Sequence, residues 1–472
     1  MFNYKNNQYR KNYKTHKITF SNNFEKTLRL NVITKKESIS PFLKINLKKI
    51  LKENCFNPPV KYVNFYRFLF KCYEIFISKV FLSLNITQYL ISILKYKHYV
   101  LKDSEHTDEF EFIKIDDKYK KIETQRDLLF FKGYSVKSIC NKYSNISFSI
   151  PQVLKFNNAK VHIGWPGFAT SSVNFILNSE IDVKKDLIPL NGVSAHFNLT
   201  AKKIFFLEKP HVGNIVSAID LSGVITANYS HWLTEFLPKL IVLLSTDEFK
   251  SNGAILINEK YSQSTIDSIM LVLPKGSNHK VISISNNLTV NVKKLYVVRN
   301  VGYIPYENIV DQDIRNCGIY NPIALKQMRD LIISQLDYKS TETRLFVERV
   351  SPHRNLNGQK ELSDLTKKFG FTNVEPSILS FLSQVKAFHG ADFVIGPVGA
   401  AMINCIFCKR TTKVILLSPR LRKTSYQWWT NLFSIFGLET YIILSKEYSR
   451  NLHDNYDIDE DELLTLLKEI TP

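Results

Sequence analysis

At 472 residues the chain is long enough for two or three domains, each with its own core. Its 44% hydrophobic and 22% charged residues are ordinary for a globular protein and exclude a disordered or fibrous chain. The net charge of +20 is local: residues 1–100 hold 19 Lys and Arg against 4 Asp and Glu, leaving only +5 on the other 372 residues, too little for the basic face of a nucleic-acid reader.

Residues 1–60 are rich in Asn and Lys and break at Asn57-Pro58-Pro59, the composition of a loosely structured basic segment. The first charges are not followed by the apolar core of a secretory signal. Residues 61–104 read as a helical extension. Its most apolar stretch, residues 65–94, is interrupted by Arg67, Lys71, Glu74, Lys79, Asn85 and Gln88, so a membrane span is not expected. Two readings stay open: helices packed on the main body, or a basic amphipathic surface lying on an anionic membrane. The expected location is cytoplasmic, with peripheral membrane contact under the second reading.

From about residue 105 short apolar runs appear (EFEFIKI, VHIGW), followed by alternating strands and helices. GAILIN, KVISI and KKLYVV read as strands, SQSTIDSIMLVL as a helix capped by Ser262 or Ser264, and PIALKQMRDLIISQL as a helix with Pro322 near its start. A second unit begins near Thr341. RLFVERV, FTNVEP, DFVIGP, TKVILLSP and TYIILS are its strands, and QKELSDLTKKFG, SILSFLSQVKAFHGA and SYQWWTNLFSIFG its helices. DIDEDELLTLLKEI closes the chain as a helix whose acidic start suits the dipole. This alternation argues for parallel sheets covered by helices. The expected domains are an α/β unit over 105–338 and a Rossmann-like unit over 339–472.

Four groups of residues suggest chemistry. In ANYSHWLTEFLPKL, His231 and Glu235 stand four apart, on one face of a helix, with Pro238 expected to end the run. That face is either a core edge with one satisfied pair or the floor of an active site. In IGPVGAAMIN a buried strand runs into Gly396, Pro397, Val398 and Gly399, and a helix starts at Ala400. Such a turn lets a diphosphate approach free N–H groups at a strand's carboxyl end, although a tight turn without a ligand looks the same. In RLFVERVSPHRN, Arg349 and Arg354 follow a strand, where paired guanidiniums suit phosphate oxygens or simply face solvent. Asp311-Gln312-Asp313 has the form of a metal-holding DxD but lacks the strand that would present it, so it reads as a loop. The six cysteines are scattered. Cys405 and Cys408 lie among apolar neighbours with no second pair to complete a zinc site, so packed free thiols are expected.

Taken in order, LSGVITANYSHWLTEFLPKL, RLFVERVSPHRNLNGQKEL and VEPSILSFLSQVKAFHGADFVIGPVGAAMINCIF resemble blocks of glycosyltransferase family 61, over roughly residues 202–470. That family includes xylosyl and O-linked N-acetylglucosaminyl transferases and many bacterial polysaccharide proteins. The resemblance implies an α/β, GT-B-like fold, with two Rossmann-like domains facing across a cleft and, here, a basic helical N-terminal extension. It implies inverting transfer from a nucleotide sugar, expected to be UDP-linked, to a hydroxyl on a glycan or glycolipid, in surface or capsular polysaccharide synthesis or glycan modification, with no metal and no other cofactor. It makes 105–338 the acceptor side and 339–472 the nucleotide-sugar domain, and it places the nucleotide against Arg349, Arg354, Gly396, Pro397, Gly399, Ala400 and Asn404. Glu235 occupies the acidic position of the first block and is the first choice for general base, with His231 as second choice or as partner. Two positions depart from the family pattern: Val398, where many members carry His, and Glu348, where Ser is usual. They motivate the alternative of a non-catalytic relative that binds glycan or nucleotide.

Overall fold

The computed structural model describes residues 110–120, 150–163, 211–223, 228–285, 288–304, 318–337, 343–351, 354–421, 427–449 and 454–471, with short strand segments at 16–17, 96–100, 168–170, 175–177, 195–198 and 203–207. The 65–94 stretch, the Asp311-Gln312-Asp313 loop, and Cys55, Cys72, Cys140 and Cys317 lie outside the described residues. The chain forms two compact units, the smaller made of residues 16–99 and 194–208. That unit holds a three-stranded sheet in the order Tyr96–Val100, Lys203–Leu207, Ala195–Asn198. Tyr96–Val100 ends the segment expected to be helical. Its sequence YKHYV is aromatic and β-branched, which suits a strand.

The larger unit includes residues 100–193 and 209–472 and contains two main sheets. The first is built from β1 (Phe110–Ile113), β2 (Gln152–His162), β3 (Phe168–Thr170), β4 (Phe175–Leu177), β5 (His211–Asp220), β6 (Asn252–Asn258), β7 (Asn278–Ile284) and β8 (Thr289–Arg299). Strands β7-β6-β5-β8 are parallel neighbours in that order, and β2 lies antiparallel to β8. Strands β5, β6 and β7 step outward in one direction and β8 returns to the other side of β5, so the strand order reverses between β5 and β8. Helix α1, from Tyr229 to Leu244, follows β5. Helix α2 (Gln263–Val272) follows β6, and its cap is Ser262, which accepts from the Thr265 N–H. After β8 comes a small hairpin of β9 (Gly302–Tyr303) and β10 (Ile319–Tyr320), then α3 (Pro322–Ile333), with Asn321 as cap and Pro322 in the first turn.

The second sheet comprises β11 (Thr343–Val347), β12 (Phe371–Val374), β13 (Ala391–Pro397), β14 (Lys413–Leu421) and β15 (Glu439–Ser449). All pairings are parallel and the order is β12-β11-β13-β14-β15, the doubly wound 2-1-3-4-5 arrangement. Its helices are α4 (Gln359–Lys367), α5 (Phe381–Gly390), α6 (Gln427–Ile435) and α7 (Glu460–Ile470), with a 3₁₀ helix at Ala400–Phe407 between β13 and β14. Alternate residues of each strand enter opposite cores. Leu345, Val347, Val394, Val414, Leu416 and Ile442 pack with α5, the 3₁₀ helix and α6. Phe346, Ile395, Ile415, Leu417 and Ile443 pack with α4 and α7. Burial on both faces explains why these strands are continuous apolar runs.

The core that holds α5, the 3₁₀ helix and α6 also holds residues of α1, α2 and α3, so the helices between the two sheets share one continuous apolar interior. A further core on the other face of the first sheet is built from β2, β6, β7 and β8 residues such as Leu154, Leu256, Ile282 and Leu295. Among the described residues no helix is long and apolar enough to cross a membrane.

Candidate functional site

Helix α1 is not uniform. It runs as α-helix over Tyr229–His231, as π-helix over Trp232–Phe236 and as α-helix again over Leu237–Leu244. Asn228 caps it, its side chain accepting from the Ser230 N–H at 2.9 Å. Pro238 does not end the run; the helix passes through it. In α register residue 238 would donate to the Thr234 carbonyl, and proline has no N–H to give. The chain adopts the i→i−5 register instead, in which the Leu237 N–H reaches the Trp232 carbonyl. Trp232 anchors the turn: its indole N–H donates to Ser268 Oγ at 2.8 Å and its ring packs edge-on against Tyr261. On the other side Gly302 closes in so tightly that a β-carbon there would meet the Thr234 carbonyl oxygen, with Glu235 Cα at 3.2 Å and Cγ at 3.3 Å. Thus the loop after β8 supports the π turn that follows β5, at the place where the strand order reverses.

Within this turn His231 Nδ1 lies 2.5 Å from Glu235 Oε1. Their side chains are 13% and 12% exposed, so the pair is mostly buried and reaches solvent only narrowly. Burial pulls the imidazole down, but the charge of Glu235 and its hydrogen bond outweigh that, and His231 is held above the ordinary histidine value. An imidazolium donating to a carboxylate fixes the carboxylate's orientation and keeps its second oxygen available for a reacting proton.

The second sheet has its own reversal of strand order, between β11 and β13, where ligands of doubly wound folds bind at the carboxyl ends. Arg349 and Arg354 follow β11; Val398, Gly399 and Ala400 follow β13. The Arg349 side chain folds back, Nε donating to the Arg354 carbonyl at 3.0 Å and Nη2 to Ser351 Oγ at 3.2 Å. Its Nη1 occupies the space that a β-carbon on Gly399 would take. Arg354 adopts a left-handed backbone, φ +58°, uncommon for a non-glycine residue. Its Nε is buried with no hydrogen-bond partner among the described residues. Burial lowers the pKa of both guanidiniums, and the charge of Arg349 lowers that of Arg354 further. Two neighbouring cations with an unsatisfied donor form a place where an anion would be stabilised.

The remaining expected residues fall into distinct positions. Gly396 is buried, and a β-carbon there would lie 2.7 Å from Met402 Sδ and 2.8 Å from Val347 Cβ, so its missing side chain serves close packing between β13 and β11. Pro397 is buried at the end of β13, and Ala400 opens the 3₁₀ helix, half-buried. Asn404 is fully buried inside that helix, its amide bonded to Tyr229, Gln384 and the Ala401 carbonyl. Val398 packs into the shared core. Glu348 turns away from Arg349 and accepts from Asn373 Nδ2 at 2.6 Å. Cys405 and Cys408 are free thiols, both buried. Sequence reasoning missed Tyr229 and Gly302. Tyr229 stood in the quoted NYSHW block without being singled out, and Pro238, read as the end of the run, was the sign that the helix facing Gly302 is irregular.

The structure therefore brings two of the quoted sequence blocks together, since Tyr229 of the first is hydrogen-bonded to Asn404 of the last at 2.7 Å. A search of curated proteins gives no match. The model of the family described as Glycosyltransferase 61 matches residues 229–415, from the first turn of α1 into β14, and so spans both the His231–Glu235 pair and the arginine turn. The match, over less than half of the chain, supports assigning residues 229–415 to glycosyltransferase family 61, and with it a glycosyltransferase in the general sense.

Proposed function

We propose that the protein transfers a sugar from a nucleotide sugar to a hydroxyl group of a glycan or glycolipid, with inversion at the anomeric carbon, in a GT-B-like arrangement of its two sheets. The observation that carries this reading is the arginine pair at the switch point of the second sheet, with the buried Nε of Arg354, which has no partner among the described residues, and the Arg349 guanidinium laid against the Gly399 turn. That site is the seat of the donor's diphosphate, which the family resemblance makes UDP. Glu235 takes the proton of the acceptor hydroxyl as its oxygen bonds to the anomeric carbon. The bond from that carbon to the diphosphate oxygen breaks in the same step, and the arginines hold the departing negative charge. His231 orients Glu235 through the bond to Oε1, which leaves Oε2 for the acceptor proton. The charge on the leaving group is met by guanidinium and backbone N–H groups, so the reading needs no metal. Synthesis or modification of a surface polysaccharide is the corresponding role.

The test is to incubate the purified full chain with UDP-, GDP-, CDP- and dTDP-linked sugars and follow release of the nucleoside diphosphate. One donor should turn over, and Arg354→Ala and Glu235→Gln should both lose that turnover. Saturable nucleotide binding without any release or transfer would favour the non-catalytic relative. Absence of both binding and release across the panel would sink the donor site.

A further inference from the structure

Asn404 was expected to touch the donor. Its surroundings point elsewhere. The residue is fully buried, and its amide is committed on every side. Oδ1 accepts from the Tyr229 hydroxyl at 2.7 Å, and Nδ2 donates to Gln384 Oε1 at 3.0 Å and to the Ala401 carbonyl at 3.1 Å. Gln384, on α5 and also buried, donates from Nε2 to the Leu379 carbonyl at 3.1 Å. Leu379 belongs to the loop that leaves β12. A chain of hydrogen bonds thus runs from the carboxyl end of the second sheet, through the 3₁₀ helix behind the donor turn, to the first residue of α1. Tyr229 stands two residues before His231, and its ring packs edge-on against Phe381.

We propose that Tyr229, Asn404 and Gln384 form a positioning relay, through which the 3₁₀ helix behind the donor turn sets the register of the helix that carries His231 and Glu235. Asn404 acts through Tyr229 and makes no contact with the donor. The physical basis is that a fully satisfied buried polar network has one geometry, and any shift in one partner leaves another unsatisfied. Tyr229 is one of the ties on the start of α1, beside the Asn228 cap and the Trp232–Ser268 bond, and the one nearest the donor turn, so releasing it loosens the lead into the His231–Glu235 pair. The inference rests on the reading of Glu235 as base and of the Gly399 turn as donor seat.

The test uses Tyr229→Phe and Asn404→Asp in the full chain. Tyr229→Phe keeps the ring and removes one hydrogen bond. With the donor that turns over on the panel, kcat is expected to fall by about 10-fold or more, since sub-ångström misplacement of a reacting group has effects of that order. KM for the donor and affinity for the matching nucleoside diphosphate should stay unchanged, a split that general destabilisation would not produce. The double variant should lose no more than Asn404→Asp alone. Unchanged kcat in Tyr229→Phe, or weakened nucleotide binding in Asn404→Asp at unchanged kcat, overturns the relay, the latter by making Asn404 a donor contact. A readout independent of turnover is amide hydrogen exchange. Tyr229→Phe should speed exchange in both 229–236 and 400–407, and a change confined to 229–236 overturns the proposal. Glu235→Gln measured alongside separates the two readings: a fully active Glu235→Gln removes the base assignment, while the exchange result still decides the relay.

Discussion

Gly399 and Arg349 occupy one another's space: a β-carbon on the glycine would fall against Nη1 of the guanidinium and 3.2 Å from its Cζ. The backbone at Gly399 is extended, φ 168°, so the position excludes larger residues by room and not by backbone strain. The atom in the way is the far end of a flexible side chain. Gly399→Ala is therefore expected to leave the thermal midpoint nearly unchanged while pushing the guanidinium aside. Nucleoside diphosphate affinity should fall by about 1.5–3 kcal/mol, the size of a hydrogen bond to a charged group. Calorimetric titration with the nucleoside diphosphate measures it, and an unaltered Kd in the folded variant would remove Arg349 from the donor site.

Gly302 poses the opposite case, because the obstacle is backbone. A β-carbon there runs into the Thr234 carbonyl and the main chain of Glu235. Gly302→Ala must shift the π turn, at a cost of about 1–3 kcal/mol for overpacking. It should also move the Glu235 carboxylate and lower turnover by up to about 100-fold. Chemical denaturation and donor turnover measured on the same preparation test both halves. A variant with wild-type stability would show that the hairpin at Gly302 yields easily and does not hold the turn.

Much of the fold was legible because the strands of the second sheet bury both faces. Phe346 and Ile395 point one way while Val347 and Val394 point the other, which leaves an apolar run that periodicity can detect. The meeting of His231 and Glu235 was legible from their spacing, although in a π turn instead of the expected α turn. Spacing cannot report a change of register; only the missing N–H of Pro238 hinted at it. Gly396 read as a ligand approach because a glycine at a strand end has the same letter whether its empty side faces a phosphate or Val347. The destination of Asn404 could not be read at all. Its partner Tyr229 lies 175 residues away, and one tertiary hydrogen bond leaves no periodic trace in a sequence.

The His231–Glu235 pair makes a signed prediction for pH. The folded state holds the imidazole above its ordinary value, so the stabilisation is present below the unfolded histidine value of about 6.5 and is lost as pH rises through the raised folded value. The stability difference between wild type and His231→Gln should therefore be largest in mildly acidic buffer and shrink toward alkaline pH. Denaturant midpoints taken across that range check it. A difference that grows with pH would mean that the folded protein holds the imidazole neutral.

Glu235 carries the most direct prediction for chemistry. Glu235→Gln preserves shape and can still accept from His231 through its amide oxygen, but it cannot take a proton. A general base contributes on the order of 10²–10⁴-fold in rate, and transfer should fall by about that factor. Nucleoside diphosphate affinity should be unchanged, since the arginine turn lies on the other sheet. His231→Gln removes the partner that orients the carboxylate and leaves the carboxylate itself, so it should lose less. The two variants also separate roles. If Glu235→Gln retains wild-type transfer while His231→Gln loses it, histidine is the base and glutamate its partner. If both variants unfold, measured by loss of the cooperative thermal transition, the pair is a support of helix α1, and the proton of the acceptor leaves by another group.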